Sequence, residues 1–165
     1  MILTVFQWIE TTGWSVGIRE SVWMYPIIES THVLSLCVFL GLTALMDLRL
    51  AGVALGRVPV AAITGRVLPW IRGGFAVIAL SGTALFWATP VAFYGNVFFR
   101  VKLVLLLLAG LNAWLFHVTI HRTVRDWGVS GRVPPPRARL AGIASLTLWV
   151  AVVATGRFIA YNWFQ

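Results

Sequence analysis

Four long apolar runs separated by short polar segments dominate the chain, at about 22–46, 67–88, 101–120 and 140–161. Each is close to the roughly 20 residues that an α-helix needs to cross a hydrocarbon core. A shorter run over 2–12 places Ile2, Leu3, Val5, Phe6, Trp8 and Ile9 beside Glu10. It is too short to span and suits a helix lying along the headgroups, broken and capped by Gly13 and Ser15. Pro26 lies in the opening turns of the first span, where a missing N–H costs least. Asp47 and Arg49 close that span, and Pro90 follows the end of the second. The pattern predicts an all-α fold. This is a four-helix transmembrane bundle with a short N-terminal interfacial helix, in a single integral membrane domain over 1–165.

Composition agrees. Of 165 residues, 59% are hydrophobic and only 11% charged, and the mean hydropathy is +0.87. Soluble domains carry about 25% charged residues. The net charge of +8 comes from 13 Lys and Arg against 5 Asp and Glu. Such a balance can mark a nucleic-acid binder. Here the basic residues fall between apolar runs, so the expected partner is the lipid bilayer and not nucleic acid. Arg49, Arg57 and Arg66 mark the first connection, and Arg122, Arg125, Arg132, Arg137 and Arg139 the third, around Pro134, Pro135 and Pro136. Both connections are expected on the cytoplasmic side, which puts both termini outside. Trp14, Trp23, Trp87, Trp127 and Trp163 fall near span ends, as an aromatic belt would place them. The small residues Gly73, Gly74, Ser81 and Gly82 allow close helix packing in the second span. Cys37 is the sole cysteine, which excludes a disulfide and a thiolate cluster, and its apolar run predicts inert packing. The N-terminus has no basic n-region and no small-residue cleavage site, so a removable signal peptide is not expected.

Chemistry must come from the polar residues inside the spans, because each costs a few kcal/mol without a partner. They are Glu29, His32, Thr43, Asp47, Arg72, Lys102, Asn112, His117, His121 and Arg157. On an α-helix Glu29, His32, Thr43 and Asp47 fall within an arc of about 60°, a polar stripe expected to face the bundle interior. Counting from Asp47, His32 lies about 22 Å and Glu29 about 27 Å toward the outside. Arg157, counted from Arg139, reaches a similar outer depth, and Lys102 and Arg100 open the third span there. Arg72 is expected to pair with Asp47 or to snorkel. A histidine, a carboxylate and several cations suit an anionic cofactor with a ligand-hungry metal. Haem b meets that description, with His32 on iron and the outer cations on propionates. Snorkelling of Arg100, Lys102 and Arg157 to headgroups explains the same cations without a cofactor. His117 and His121, spaced i, i+4 near the cytoplasmic end, form either an interfacial anchor or a second metal site. Glu29-x-x-His32 has di-iron spacing but no second Glu-x-x-His to complete such a site. A zinc-protease helix is absent, and support for a copper pathway is thin.

Glu29-x-x-His32, the small-residue middle around Gly41 and Asp47-x-Arg49 resemble the first helix of a broad bacterial membrane group. Arg100-x-Lys102-Leu103 leading through Leu105 to Leu108 and Asn112, and a last helix closing on Gly156-Arg157, extend the likeness. The whole chain resembles an uncharacterised family of small bacterial four-helix membrane proteins. More distantly it is similar to the copper-resistance D membrane domain and to the haem-containing membrane protoporphyrinogen oxidase. That resemblance implies a bacterial inner-membrane location, His32 as haem or metal ligand, and Lys102 as a cofactor or substrate contact. The chain departs from the oxidase at Asp47 and Asn112, where the oxidase has further histidines.

Three functional readings stay open. One is a haem b redox protein that works with a membrane or periplasmic partner, or as a homo-oligomer. Another is a non-redox binding or transport protein for a small anion, metal or lipid. The third is an accessory or anchoring subunit. Reporter fusions test the orientation all three share. A fusion after Gly128 is expected to read as cytoplasmic and one after Gln165 as external, and the reverse pattern would overturn the topology.

Overall fold

The computed structural model describes residues 1–120, 124–129 and 132–161. All regular structure among them is helical, and four helices are long and apolar enough to cross a membrane. Two short helices come first, α1 (Ile2–Glu10) and α2 (Gly13–Glu20). The spans are α3 (Met24–Ala51), α4 (Val60–Ala88), α6 (Val97–Leu115) with a π-helical turn at Phe116–Ile120, and α8 (Pro136–Tyr161). Between them lie α5 (Pro90–Gly95) and α7 (Val124–Trp127).

Three spans start earlier than hydropathy alone indicates, because capping sets the ends. Asn96 accepts hydrogen bonds from Phe98 N at 2.9 Å and Phe99 N at 3.3 Å, which starts α6 ahead of its first charge. Pro59 stands directly before α4, and Pro136 occupies the first position of α8, where a missing N–H is harmless. At the other end of the first span, Asp47 and Arg49 do not close the helix. It runs on to Ala51 and stops at Gly52, whose φ of +77° supplies the left-handed cap. Arg49 can sit inside at 1% exposure because its Nε donates to Val58 O at 2.9 Å.

The N-terminal segment is two helices meeting at Thr12, where the sequence pattern predicts one. Thr12 is the cap: its hydroxyl accepts from Ser15 N at 3.4 Å. Ser15 is fully buried and caps a different helix, donating from Oγ to Ala88 O at 3.1 Å. Arg19 donates to the same carbonyl at 3.3 Å and lies 3.7 Å from Glu10. The last turn of α4 thus finds partners for a carbonyl the helix leaves open. Phe6 packs on Phe86 and Tyr94, with centroids 5.6 and 5.2 Å apart, and holds α1 against the same end of the bundle.

The spans pack in the order α4, α3, α8, α6, and α4 and α6 scarcely touch. At the amino-terminal end that gap is closed by Phe86 stacked on Phe99, centroids 5.5 Å apart and planes 7° apart. At the opposite, arginine-rich end the buried core gathers Leu50, Val60, Phe116 and Ala138, with Trp127 against it. There Val60 N donates to Gly128 O at 2.8 Å and Arg139 Nε to Ala51 O at 3.3 Å. Trp14, Trp23 and Trp87 are exposed as a belt would require, whereas Trp127 is drawn into the core, and Trp163 lies outside the described residues. Cys37 is exposed on α3 and does not pack inside.

The tightest crossing is α3 on α8. A Cβ on Gly142 would lie 2.7 Å from Asp47 O and 3.1 Å from Ala51 N, both backbone atoms. Gly142→Ala is therefore expected to cost about 1–3 kcal/mol of stability through forced separation. Gly110→Ala, where a Cβ meets nothing within 4 Å, is the control and is expected to be neutral or slightly stabilising. Thermal unfolding of both variants in detergent checks this, and equal midpoints would contradict it.

Candidate functional site

The polar stripe on α3 divides by depth. Glu29, His32, Thr43 and Asp47 share an arc, but whether a face is covered also depends on which neighbour packs at that level. Glu29 is exposed, His32 and Thr43 are half-buried, and Asp47 is buried. The stripe therefore feeds two places.

The first lies toward the amino-terminal end. His32 Nδ1 sits 2.9 Å from Ser81 Oγ on α4. The single Ser81 hydroxyl proton points at Val77 O, 2.6 Å away, with Ile78 O at 3.3 Å. Ser81 Oγ can then only accept from the ring, so Nδ1 carries the imidazole proton. The ring also reaches the Ile78 carbonyl, which is an acceptor too. This leaves Nε2 with its lone pair, the tautomer that suits a ligand or a proton acceptor. Lys102 on α6 is half-buried and near enough to act electrostatically on His32. Each of the two ionisable groups lies over a glycine of a neighbouring span. A Cβ on Gly82 would stand 3.1 Å from His32 Cε1, and one on Gly156 would stand 3.3 Å from Lys102 Nζ.

The other outer residues do not join them. Arg157 is exposed and turns along its own helix, where Nη2 donates to Tyr161 Oη at 2.7 Å and the guanidinium lies 4.9 Å from that ring's centroid. The expectation that Arg157 faces inward is not met, because Tyr161, one turn on, offers it both a hydroxyl and a π face. Arg100 and Glu29 are exposed as well. Among the described residues no three His, Cys, Asp or Glu side chains gather in a metal-binding group.

The second place lies in the arginine-rich half, where α4 and α6 part. A cavity of about 400 Å³ opens there, walled by all four spans. Asp47 and Thr43 line it from α3, Arg72 from α4, Asn112 and His117 from α6 and its π turn, and Trp149 and Ser145, a hydrogen-bonding neighbour of the Asp47 carboxyl, from α8. Thr43 Oγ1 and Asp47 Oδ2 are buried there with no hydrogen-bond partner. Each such orphan costs about 1–3 kcal/mol. Asn112 Nδ2 is engaged, donating to Ala141 O at 3.1 Å. Arg72 and His117 are exposed, and among the described residues no ion pair joins Arg72 to Asp47. His117 is therefore a cavity-rim residue, and its predicted companion His121 lies outside the described residues. Two departures from regular α-helix flank the opening: Pro69 inside α4 and the π turn beginning at Phe116.

Hydropathy reading named most polar members of both places, made the outer one the main site, and offered the other half only His117 and His121 as an anchor or second metal site. It left Ser81 and Gly82 as packing residues, named Gly156 only within the resemblance, and missed Ser145 and Trp149. A serine-glycine pair in a span is ambiguous until the facing helix is known to present a histidine.

Residues 5–162 match a family of unknown function (DUF6644), and the chain belongs to that family. No curated protein and no solved structure matches it. The distant likeness to the copper-resistance D domain and to the oxidase has no counterpart in these matches.

Removing the acceptor should release the histidine proton. In Ser81→Ala, the ¹⁵N spectrum of ring-labelled protein is expected to shift His32 from Nδ1–H toward Nε2–H, its signals assigned by their loss in His32→Gln. An unchanged tautomer would contradict the assignment.

Proposed function

We propose that this member of a family without an assigned activity is a small redox protein of the bacterial inner membrane, with both termini outside. In this reading His32 Nε2 would hold the iron of haem b, and Lys102 would pair with one of its anionic propionates. The observation that carries it is the 2.9 Å contact of His32 Nδ1 with Ser81 Oγ, whose own acceptor is Val77 O, an arrangement that favours the tautomer with Nε2 free inside a membrane span. The distant resemblance to a haem-containing oxidase supports it.

The donor set fits this group better than a bare metal ion. One imidazole with a free Nε2, beside one cation, suits a cofactor that needs a single axial nitrogen and a counter-charge. A zinc or copper ion wants three or four protein ligands, and the described residues bring together no such set. Haem b, when bound, supplies one-electron chemistry. The chain's own residues do the rest. Ser81 fixes the ring and its proton, Gly82 leaves room for the imidazole, and Lys102 supplies positive charge from the neighbouring span. Glu29, Arg100 and Arg157 have no part in this reading, because all three are exposed.

Protein purified from haem-sufficient cells is expected to show a Soret band. His32→Ala should deplete the haem, and Ser81→Ala should weaken its binding about ten-fold, the usual effect of losing a partner that orients a ligand. His117→Ala should retain the band, since His117 lies 15 residues beyond Lys102 along the third span, about 22 Å by helix rise. A folded, colourless wild type would refute the reading. A band lost with His117 and kept without His32 would move the ligand to the other half of the bundle.

A further inference from the structure

The cavity in the arginine-rich half does not depend on the haem reading. Asp47 stands 15 residues beyond His32 on α3, about 22 Å along the helix. At about 400 Å³ the cavity falls within the range of small-molecule sites. Most of its lining is apolar side chain, and its aromatic wall is ordered. Phe39 meets Trp149 edge-on at 4.7 Å between centroids and lies 6.0 Å from Phe75. Into this wall project two oxygens without partners, Thr43 Oγ1 and Asp47 Oδ2, and Asp47 is only 6% exposed. They lie one turn apart on one face of α3. The open side is the gap between α4 and α6, where Gly110 is exposed and a Cβ on it would meet nothing within 4 Å.

Several occupants fail on chemistry. An aliphatic tail would leave both oxygens unpaired. A small anion would meet the Asp47 carboxyl. A hard cation wants about six oxygens, and this cavity offers far fewer. A hydroxyl group satisfies both orphans at once, donating to Asp47 Oδ2 and accepting from Thr43 Oγ1. An aromatic ring bearing that hydroxyl lies against Phe39 and Trp149, and an apolar tail leaves past Gly110 into lipid.

We propose that this cavity binds a lipid-soluble aromatic alcohol of the phenol type, which enters from the bilayer between α4 and α6 and is held by its hydroxyl on Asp47 and Thr43.

The test uses the full chain in lipid nanodiscs, titrated calorimetrically with 4-octylphenol and with octylbenzene, each corrected with empty nanodiscs. Octylphenol is expected to bind saturably at one site per chain, at least about ten-fold more tightly than octylbenzene, as a hydroxyl meeting two buried partners requires. Asp47→Ala should abolish that preference. Thr43→Val, nearly isosteric and gentler on the fold, should reduce it several-fold. Gly110→Phe, which puts a ring into the opening, should remove binding of both compounds. Absence of saturable binding would mean that the cavity holds only water or lipid, and would overturn the proposal. Equal affinities for the two compounds, or a preference that survives both Asp47→Ala and Thr43→Val, would overturn it as well.

Discussion

At Gly142 the backbone of α8 rests on the backbone of α3 at Asp47 and Ala51 and on the Cβ of Leu50. Helices brought this close gain dispersion contacts along their length, the main source of association when lipid is as apolar as the side chains. This crossing makes α3 the centre of the bundle, with α4 on one flank and α8 on another. Because α6 packs on α8, it is left across an opening from α4. The cavity thus follows from the order in which the spans pack.

The spans were legible because twenty apolar residues in a row have few physical alternatives. Their ends were less so. Asp47 and Arg49 read as a stop because burying charge is costly, yet the helix runs through both. The loop carbonyls of Val58 and Val129 take two of the Arg49 donor nitrogens that water would have met, while Nη1 stays buried without a partner. That compensation is non-local and leaves no trace in a hydropathy profile. Likewise, Ser15 reads as a cap for its own segment and serves α4, 73 residues away.

The site was legible in part for a related reason. Helical periodicity says which residues share an arc, and the expectation that Glu29, His32, Thr43 and Asp47 all face the interior holds for Asp47, in part for His32 and Thr43, and not for exposed Glu29. It does not say what covers the face at each level. His32 meets the hydroxyl of Ser81, Asp47 meets a cavity, and Glu29 stays exposed. Arg157 shows the converse. Its position matched the outer site in depth, but its guanidinium is engaged by a tyrosine one turn along its own helix.

The π turn at Phe116–Ile120 gives the α6 side of the cavity a property that the α4 side lacks. A π turn accommodates an extra residue within an otherwise α-helical ladder. Passing that extra residue along the helix is a screw motion, in which each step turns the residues it crosses by about 100°. His117 lies at this thread. On the opposite wall, α4 is clamped at both ends, by Ser15 and Arg19 at Ala88 and by Gly128 at Val60. The two sides of the opening are therefore built differently, one a helix tied at both ends and the other a helix whose ladder carries an irregular turn.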